Sequence, residues 1–191
     1  MRGSAMLFSD EKHVLMLIAH HNFRDEEFIH PRNALMRAGL HVSTVSSSIS
    51  PARGMFGMEV HPTTMLAGCS HDDYSGLILV GGSGATVYWD DVRVHHLVGS
   101  FISNGKPVGA IGEAVAILVR GGYLTDPQPV VRDILQNMLR SGAEQRKKTR
   151  EEVRKQLIMI ADAKYARLFG ESFAELLLHP NSAASNPMSF V

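Results

Sequence analysis

Only one cysteine, Cys69, occurs among the 191 residues. An intrachain disulfide framework is therefore excluded, and so sparing a use of thiol suits a reducing compartment, the cytoplasm. An excess of charge of either sign is missing too, because 19 basic side chains balance 19 acidic ones. No global field draws the chain to nucleic acid or to an anionic membrane. Nor does any apolar run approach the roughly 18 residues needed to span a bilayer, and no signal-peptide core precedes a cleavage-like site. Internal repeats are absent. What is present is ordinary for a soluble globular protein: 45% hydrophobic and 20% charged residues, in a length that fits one domain with a substantial core.

Read in order, Met1-Arg-Gly-Ser-Ala resembles a vector leader, and residues 1–12 are expected to be disordered or vector-derived. Val14 to Ala19 is a continuous apolar run, as in a strand covered on both faces. It ends in His20-His21-Asn22-Phe23, a polar mouth. A helix is expected from Asp25, with acids in its first turn where the dipole favours them. Gly39 closes that helix, and Pro31 is either an early-turn proline or a kink. Val42–Val45 is a second strand, Glu59–His61 a short one, and Thr63 the start of a brief helix. Ser75–Val80 is a buried strand running into Gly81-Gly82-Ser83-Gly84, and Asp90–Ser103 is a helix.

Lys106 to Arg120 is the organising stretch. Val108–Ile111 reads as a strand that turns sharply at Gly112 into a helix beginning near Glu113. Such a turn lifts one residue above the carboxyl end of a parallel sheet and points helix-terminal amides at whatever binds there. In hydrolases with this layout the lifted residue is Ser or Cys. Here it is Gly112, which has no side chain.

Beyond Leu124 the pattern reads as helical throughout: a helix from Thr125 to Gly142, a charge-dense run from Glu144 to Lys155, then Leu157–Ala161 and a helix ending near Gly170, with one or two turns over Ser172–Leu178. The charged run holds six bases and three acids, and its i,i+4 pairs suit a solvated face. The expected division is a core over 13–124, a helical extension over 125–180 packed on it, and a flexible tail over 181–191. The alternation of strands and helices argues for an α/β protein with a mostly parallel sheet and helices on both faces.

The series Asn22-Phe-Arg-Asp-Glu-Glu27-Phe-Ile-His-Pro31, Leu35-Met-Arg-Ala-Gly39-Leu-His-Val42, Leu77-Ile-Leu-Val-Gly-Gly82 and Gly105-Lys-Pro-Val-Gly-Ala-Ile111 resembles the ThiJ/PfpI superfamily over Val14 to Leu124. The resemblance implies a flavodoxin-like sandwich of the class I glutamine amidotransferase type, usually dimeric, with a reactive Cys at the elbow and a Glu from the first helix beside it. Glu27 falls on that Glu, Gly81-Gly82 on the segment that helps form the oxyanion hole, and Gly112 on the nucleophile. Glu113 stands where the family often has His or Ala. The family's strand after the elbow helix has no evident counterpart.

Without a thiolate at the elbow there is nothing to attack a carbonyl. Cys69 lies before a different strand. The leading expectation is a non-hydrolytic, small-molecule-binding or regulatory protein, a homodimer or higher homo-oligomer, with neither nucleic acid nor membrane as partner. Its site would use Glu27, Gly81, Gly82, Ser83, Gly84, Gly112 and Glu113, rimmed by His20, His21, Tyr88 and Trp89. The alternative is acid/base catalysis of the hydratase, lyase or isomerase type by Glu27 and Glu113, since two carboxylates in one pocket can divide into acid and base. A third reading is an assembly protein with a vestigial pocket. No cofactor or metal is expected: Gly81–Gly84 lacks the spacing of a dinucleotide loop, and the histidines lack ligand spacing.

Overall fold

The computed structural model describes residues 12–124, 157–160 and 162–180. The expected leader as far as residue 11, the helix over 125–142, the charged run over 144–155 and the tail from 181 lie outside the described residues. Lys12, expected in the leader, is tied down: its carbonyl accepts from the His41 N–H and its Nζ donates to the Leu177 carbonyl.

The apolar runs form a six-stranded, fully parallel sheet. Its strands are β1 (His13–Leu17), β3 (His41–Ser46), β6 (Thr64–Met65), β7 (Gly76–Leu79), β8 (Val108–Ile111) and β9 (Leu157–Ile160), in the order β6-β3-β1-β7-β8-β9. A small second sheet joins β2 (His21–Phe23), β4 (Ala52–Gly54) and β5 (Glu59–Val60). Side chains of β1 alternate between two buried layers, as strand geometry requires. Leu15 and Leu17 join a layer with Val98, Phe101 and Leu118 from helices α2 (Val92–Ser103) and α3 (Val115–Arg120). Val14 and Met16 join the other with Phe28 and Leu35 from α1 (Asp25–Arg37) and Phe169 and Phe173 from α4 (Ala166–Leu178). Helices thus cover both faces, which is the expected α/β sandwich. Among the described residues no helix is long and apolar enough to cross a membrane.

Local signals explain the helix ends. Gly39 has φ +83°, the left-handed conformation of a residue just past a helix. The Asp91 side chain accepts from the Arg93 N–H at 2.9 Å and caps α2. Pro31 lies inside α1, where it has no N–H to give to the Glu27 carbonyl four residues back.

Four expectations are corrected. Leu157–Ile160 is not helical; it is strand β9, running parallel to β8 with Val108 opposite Leu157. This is the strand that the resemblance required and that residue patterning missed. A four-residue apolar run does not distinguish helix from strand on its own, and here the exposed edge of β8 decides. Gly170 does not end a helix but sits within α4. A Cβ there would meet Pro31 Cα at 2.5 Å, so the glycine lets α4 lie directly on α1. Thr63 starts no helix: Thr64–Met65 pair with β3 as β6, and a 3₁₀ turn follows over Leu66–Gly68. Finally, the helix expected near Glu113 begins as a 3₁₀ turn over Gly112–Ala114 before α3.

Gly76 in β7 and Gly109 in β8 make room for the stacked rings of Phe169 and Phe173, whose centroids are 6.1 Å apart. A Cβ on Gly109 would meet Phe169 Cζ at 2.5 Å. Each ring is fully buried, a contribution of about 2–3 kcal/mol apiece from removed apolar surface. α4 and β9 are therefore part of the core rather than an appendage to it.

Candidate functional site

Three chain segments converge at the carboxyl ends of β1, β7 and β8. After β8, Gly112 takes φ +56° and turns the chain into the 3₁₀ turn before α3. After β7, Gly82 takes φ +97° and begins a 3₁₀ turn over Ser83–Tyr88. Both are left-handed conformations that side chains disfavour. After β1, the chain bends through His20 to Arg24, with Asn22 at φ +58°, and enters α1. The Arg24 N–H donates to the Gly81 carbonyl at 3.0 Å, which locks the start of α1 to the end of β7. Asp25 pins the same turn from the other side. Its buried carboxylate accepts from the backbone N–H groups of Phe56 (3.0 Å) and Met58 (2.8 Å).

This framework holds Glu27 under the elbow. The side chain is only 2% exposed, and its Oε2 accepts from the Gly81 N–H at 3.1 Å. Burial, aided by the negative charge of Glu113 and of Glu26, pushes its pKa up to about 7. The Arg24 guanidinium and the Gly81 N–H oppose that rise. A Cβ built on Gly112 would come within 2.7 and 2.9 Å of the Glu27 oxygens, so the acid fills the space that an elbow side chain would enter.

Glu113 is exposed, and its Oε2 accepts from the Gly82 N–H at 2.9 Å. Adjacent amides of the Gly81-Gly82 segment thus each hold one carboxylate. A Cβ on Gly81 would collide with Glu27 Oε2 and the Ile111 carbonyl, so only glycine permits this approach. Glu27, Gly81, Gly82, Gly112 and Glu113 are thus brought together at the ends of β7 and β8. Chemically, a buried carboxyl balanced between its two protonation states near neutral pH can both give and take a proton.

Of the residues expected at the rim, Trp89 lies beside Glu113: its Nε1–H donates to the Glu113 carbonyl at 3.0 Å, and the Arg120 guanidinium lies 5.1 Å from its ring centroid. Tyr88 is buried, with its hydroxyl donating to the Ile18 carbonyl and accepting from the Ser47 N–H, both at 3.1 Å. It fastens the end of β1 to the loop after β3. Ser83 is exposed, and Gly84 packs against the His21 carbonyl, so the His20-His21 segment does border the glycine turn. The two imidazoles do not diverge as strand neighbours would. The bend after β1 brings them edge to face with centroids 4.5 Å apart, and His20 Nε2 lies 3.3 Å from Ser50 Oγ. Among the described residues no group of three or more His, Cys, Asp or Glu side chains could hold a metal ion.

Sequence reasoning missed Arg24, whose backbone N–H and charge both act on the site, and Asp25, which reads as one more first-turn acid. The burial of Asp25 depends on the hairpin of β4 and β5, which the local sequence of α1 does not announce. Cys69 packs beside Tyr74 against the core layer under α2, and burial pushes its pKa up to about 11, which disfavours the thiolate at neutral pH.

Comparison with known proteins bears on the whole arrangement. The DJ-1/PfpI family matches residues 12–175, a span reaching well beyond Leu124 and taking in β9 and most of α4. An uncharacterised protein of Methanocaldococcus jannaschii is 32% identical over 163 residues, covering 82% of this chain and 78% of that one. Among solved structures, a ThiJ/PfpI domain protein from Brachyspira murdochii aligns with a TM-score of 0.71 at 19% identity, over 88% of this chain and 98% of that one. Drosophila melanogaster DJ-1beta aligns with a TM-score of 0.67 at 22% identity, over 92% and 95%. At such identities these structural likenesses speak for the fold alone.

Proposed function

The chain belongs to the DJ-1/PfpI family, and on that premise we propose that it works without a covalent intermediate, binding a small polar molecule over the Gly112 elbow and exchanging a proton with it through Glu27. The observation that carries this reading is the Glu27 carboxyl, buried against the elbow backbone with its pKa raised to about 7. Gly112 offers no attacking atom, and Glu27 occupies the space where one would be attached. Glu113, on the neighbouring amide, supplies the second carboxylate of an acid/base pair and helps keep Glu27 protonated. The geometry moves the balance from a site that only binds toward one that also transfers a proton, of the hydratase, lyase or isomerase type.

A second reading, binding without turnover, is favoured by a different observation. Both amides of the oxyanion-like segment already hold the protein's own carboxylates. A ligand carboxylate displacing the exposed Glu113 from the Gly82 N–H would be bound but not transformed.

Turnover of small carbonyl compounds, amides and isonitriles by the parent chain, Glu27→Gln and Gly112→Cys separates the two. Proton transfer requires turnover by the parent that Glu27→Gln abolishes. Inactivity of the parent alongside a Gly112→Cys variant that gains turnover would place the protein among binders with a disarmed family site. Activity that survives in Glu27→Gln would overturn the role given to the acid.

A further inference from the structure

Glu26, one residue before the buried acid, faces a different space. An open cleft of about 480 Å³ is lined by Arg24, Glu26 and His30 from the start of α1 and by Asp162, Lys164 and Arg167 from the segment leading into α4. That volume falls within the range of small-ligand sites, roughly 300–1,000 Å³. Six of its seven lining residues carry charged or polar groups, which suits a polar occupant.

The charge balance favours an anion. Three permanent cations face two carboxylates, with His30 beside them, in a chain whose formal net charge is zero. Asp162 is already engaged: it accepts from the Lys164 N–H at 3.0 Å, and its Oδ2 lies 3.1 Å from Lys164 Nζ. Arg167 Nε is 3.8 Å from Glu171, a loose exposed pair that leaves the guanidinium fork available. Arg24 and Glu26 are different. Their Nε and Oε2 are 3.6 Å apart, too far for a hydrogen bond, and both atoms are shielded from water without a hydrogen-bond partner. Those two atoms are closed to the cleft, so a ligand there would use the terminal nitrogens of Arg24, which donate, and Oε1 of Glu26, which accepts; a group that accepts from the one and donates to the other suits the pair. A singly protonated phosphate does both. Fully ionised sulfate only accepts.

We propose that this cleft binds a phosphate group, either inorganic phosphate or a small phosphate monoester, with Arg24, Lys164 and Arg167 donating to its oxygens and Glu26 accepting from its P–OH. The site is separate from the elbow and does not rest on proton transfer at Glu27.

Calorimetric titration of the full chain at low ionic strength and about pH 6, where phosphate and its monoesters still carry a P–OH, with inorganic phosphate, glycerol phosphate and sulfate tests it. Binding of at least one of the phosphate probes, at most weak binding of sulfate, and weakening with added salt are expected. A Lys164→Gln/Arg167→Gln variant should bind phosphate about tenfold or more weakly, since each charge-assisted hydrogen bond to an oxyanion is among the stronger polar contacts. Both side chains are mostly exposed, so the variant keeps the core intact. Tighter binding of the ester identifies a phosphorylated small molecule as the ligand, and tighter binding of inorganic phosphate identifies the ion itself. Absence of binding at millimolar phosphate overturns the proposal. So do unchanged affinity in the double variant and sulfate binding as tight as phosphate.

Discussion

The Glu27 oxygens stand 2.7 and 2.9 Å from the point where a side chain on Gly112 would begin. Glycine at the elbow and the inward position of the acid are therefore two halves of one arrangement. Adding any side chain to Gly112 must move the carboxyl, and the backbone at φ +56° resists a side chain independently.

Gly112→Ala is accordingly expected to destabilise the fold by about 1–3 kcal/mol, from left-handed backbone strain plus the collision. Glu27→Ala should relieve the collision but not the strain. A double-mutant cycle by urea unfolding will then show coupling between the two positions of at least about 0.5 kcal/mol. Additive losses would mean that the carboxyl yields without cost.

Stability should depend on pH through Glu27 with an unusual sign for a carboxylate. Its folded pKa of about 7 lies above the ordinary value of 4.5. The folded state therefore holds the proton more tightly than the unfolded chain between these values, and stability falls as pH rises through the window. The loss amounts to roughly 3 kcal/mol above neutrality. Glu27→Gln, which keeps an acceptor for the Gly81 N–H, should lack this decline. Parallel unfolding free energies for parent and variant across the window would refute the assignment.

Removing single charges should move the Glu27 titration in opposite directions. Glu113→Gln lowers its midpoint, because a repelling charge is gone, though burial keeps it above 4.5. Arg24→Gln raises it, because an attracting charge is gone. Carboxyl carbon NMR against pH reads both. A midpoint unmoved by Glu113→Gln means that the two carboxylates do not sense one another.

The course of the chain was legible where the determinants are local. Continuous apolar runs announced β1, β7 and β8, and Gly39 announced the end of α1. β9 was hidden because its identity comes from the open edge of β8, many residues earlier in the chain. The elbow could be read from Val108–Gly112 alone, but the pairing of Glu27 with Gly81 and of Glu113 with Gly82 joins three separate segments. Tyr88 shows the limit of local reading most clearly: beside a glycine turn it reads as rim, yet it packs in the buried layer with Leu17 and Leu118 and its hydroxyl reaches the Ile18 carbonyl.

Tyr88→Phe should therefore act on stability rather than on ligand binding. It leaves the Ile18 carbonyl and the Ser47 N–H without the hydroxyl they share, at a cost of about 1–3 kcal/mol. Thermal unfolding beside a ligand titration checks this, and a stable variant with altered ligand affinity would restore the tyrosine to the rim.

Alkylation of Cys69 should be slow at neutral pH and keep accelerating toward its raised pKa of about 11. A rate that levels off below about pH 9 would mark a thiolate far more accessible than the burial of this residue allows.

The contact of Gly170 with Pro31 has a consequence for the order in which the protein becomes competent during synthesis. The first turn of α1 leaves the ribosome early, with the elbow following it, but the helix that backs Pro31 is among the last described elements to emerge. Elongation proceeds at about 5–20 residues per second, so the acid waits several seconds for its support. A nascent or prematurely released chain ending before Gly170 would carry Glu27, Gly112 and Glu113 in full, yet lack the helix that steadies the segment bearing Glu27. The support of Glu27 is in this sense complete only once synthesis has passed α4.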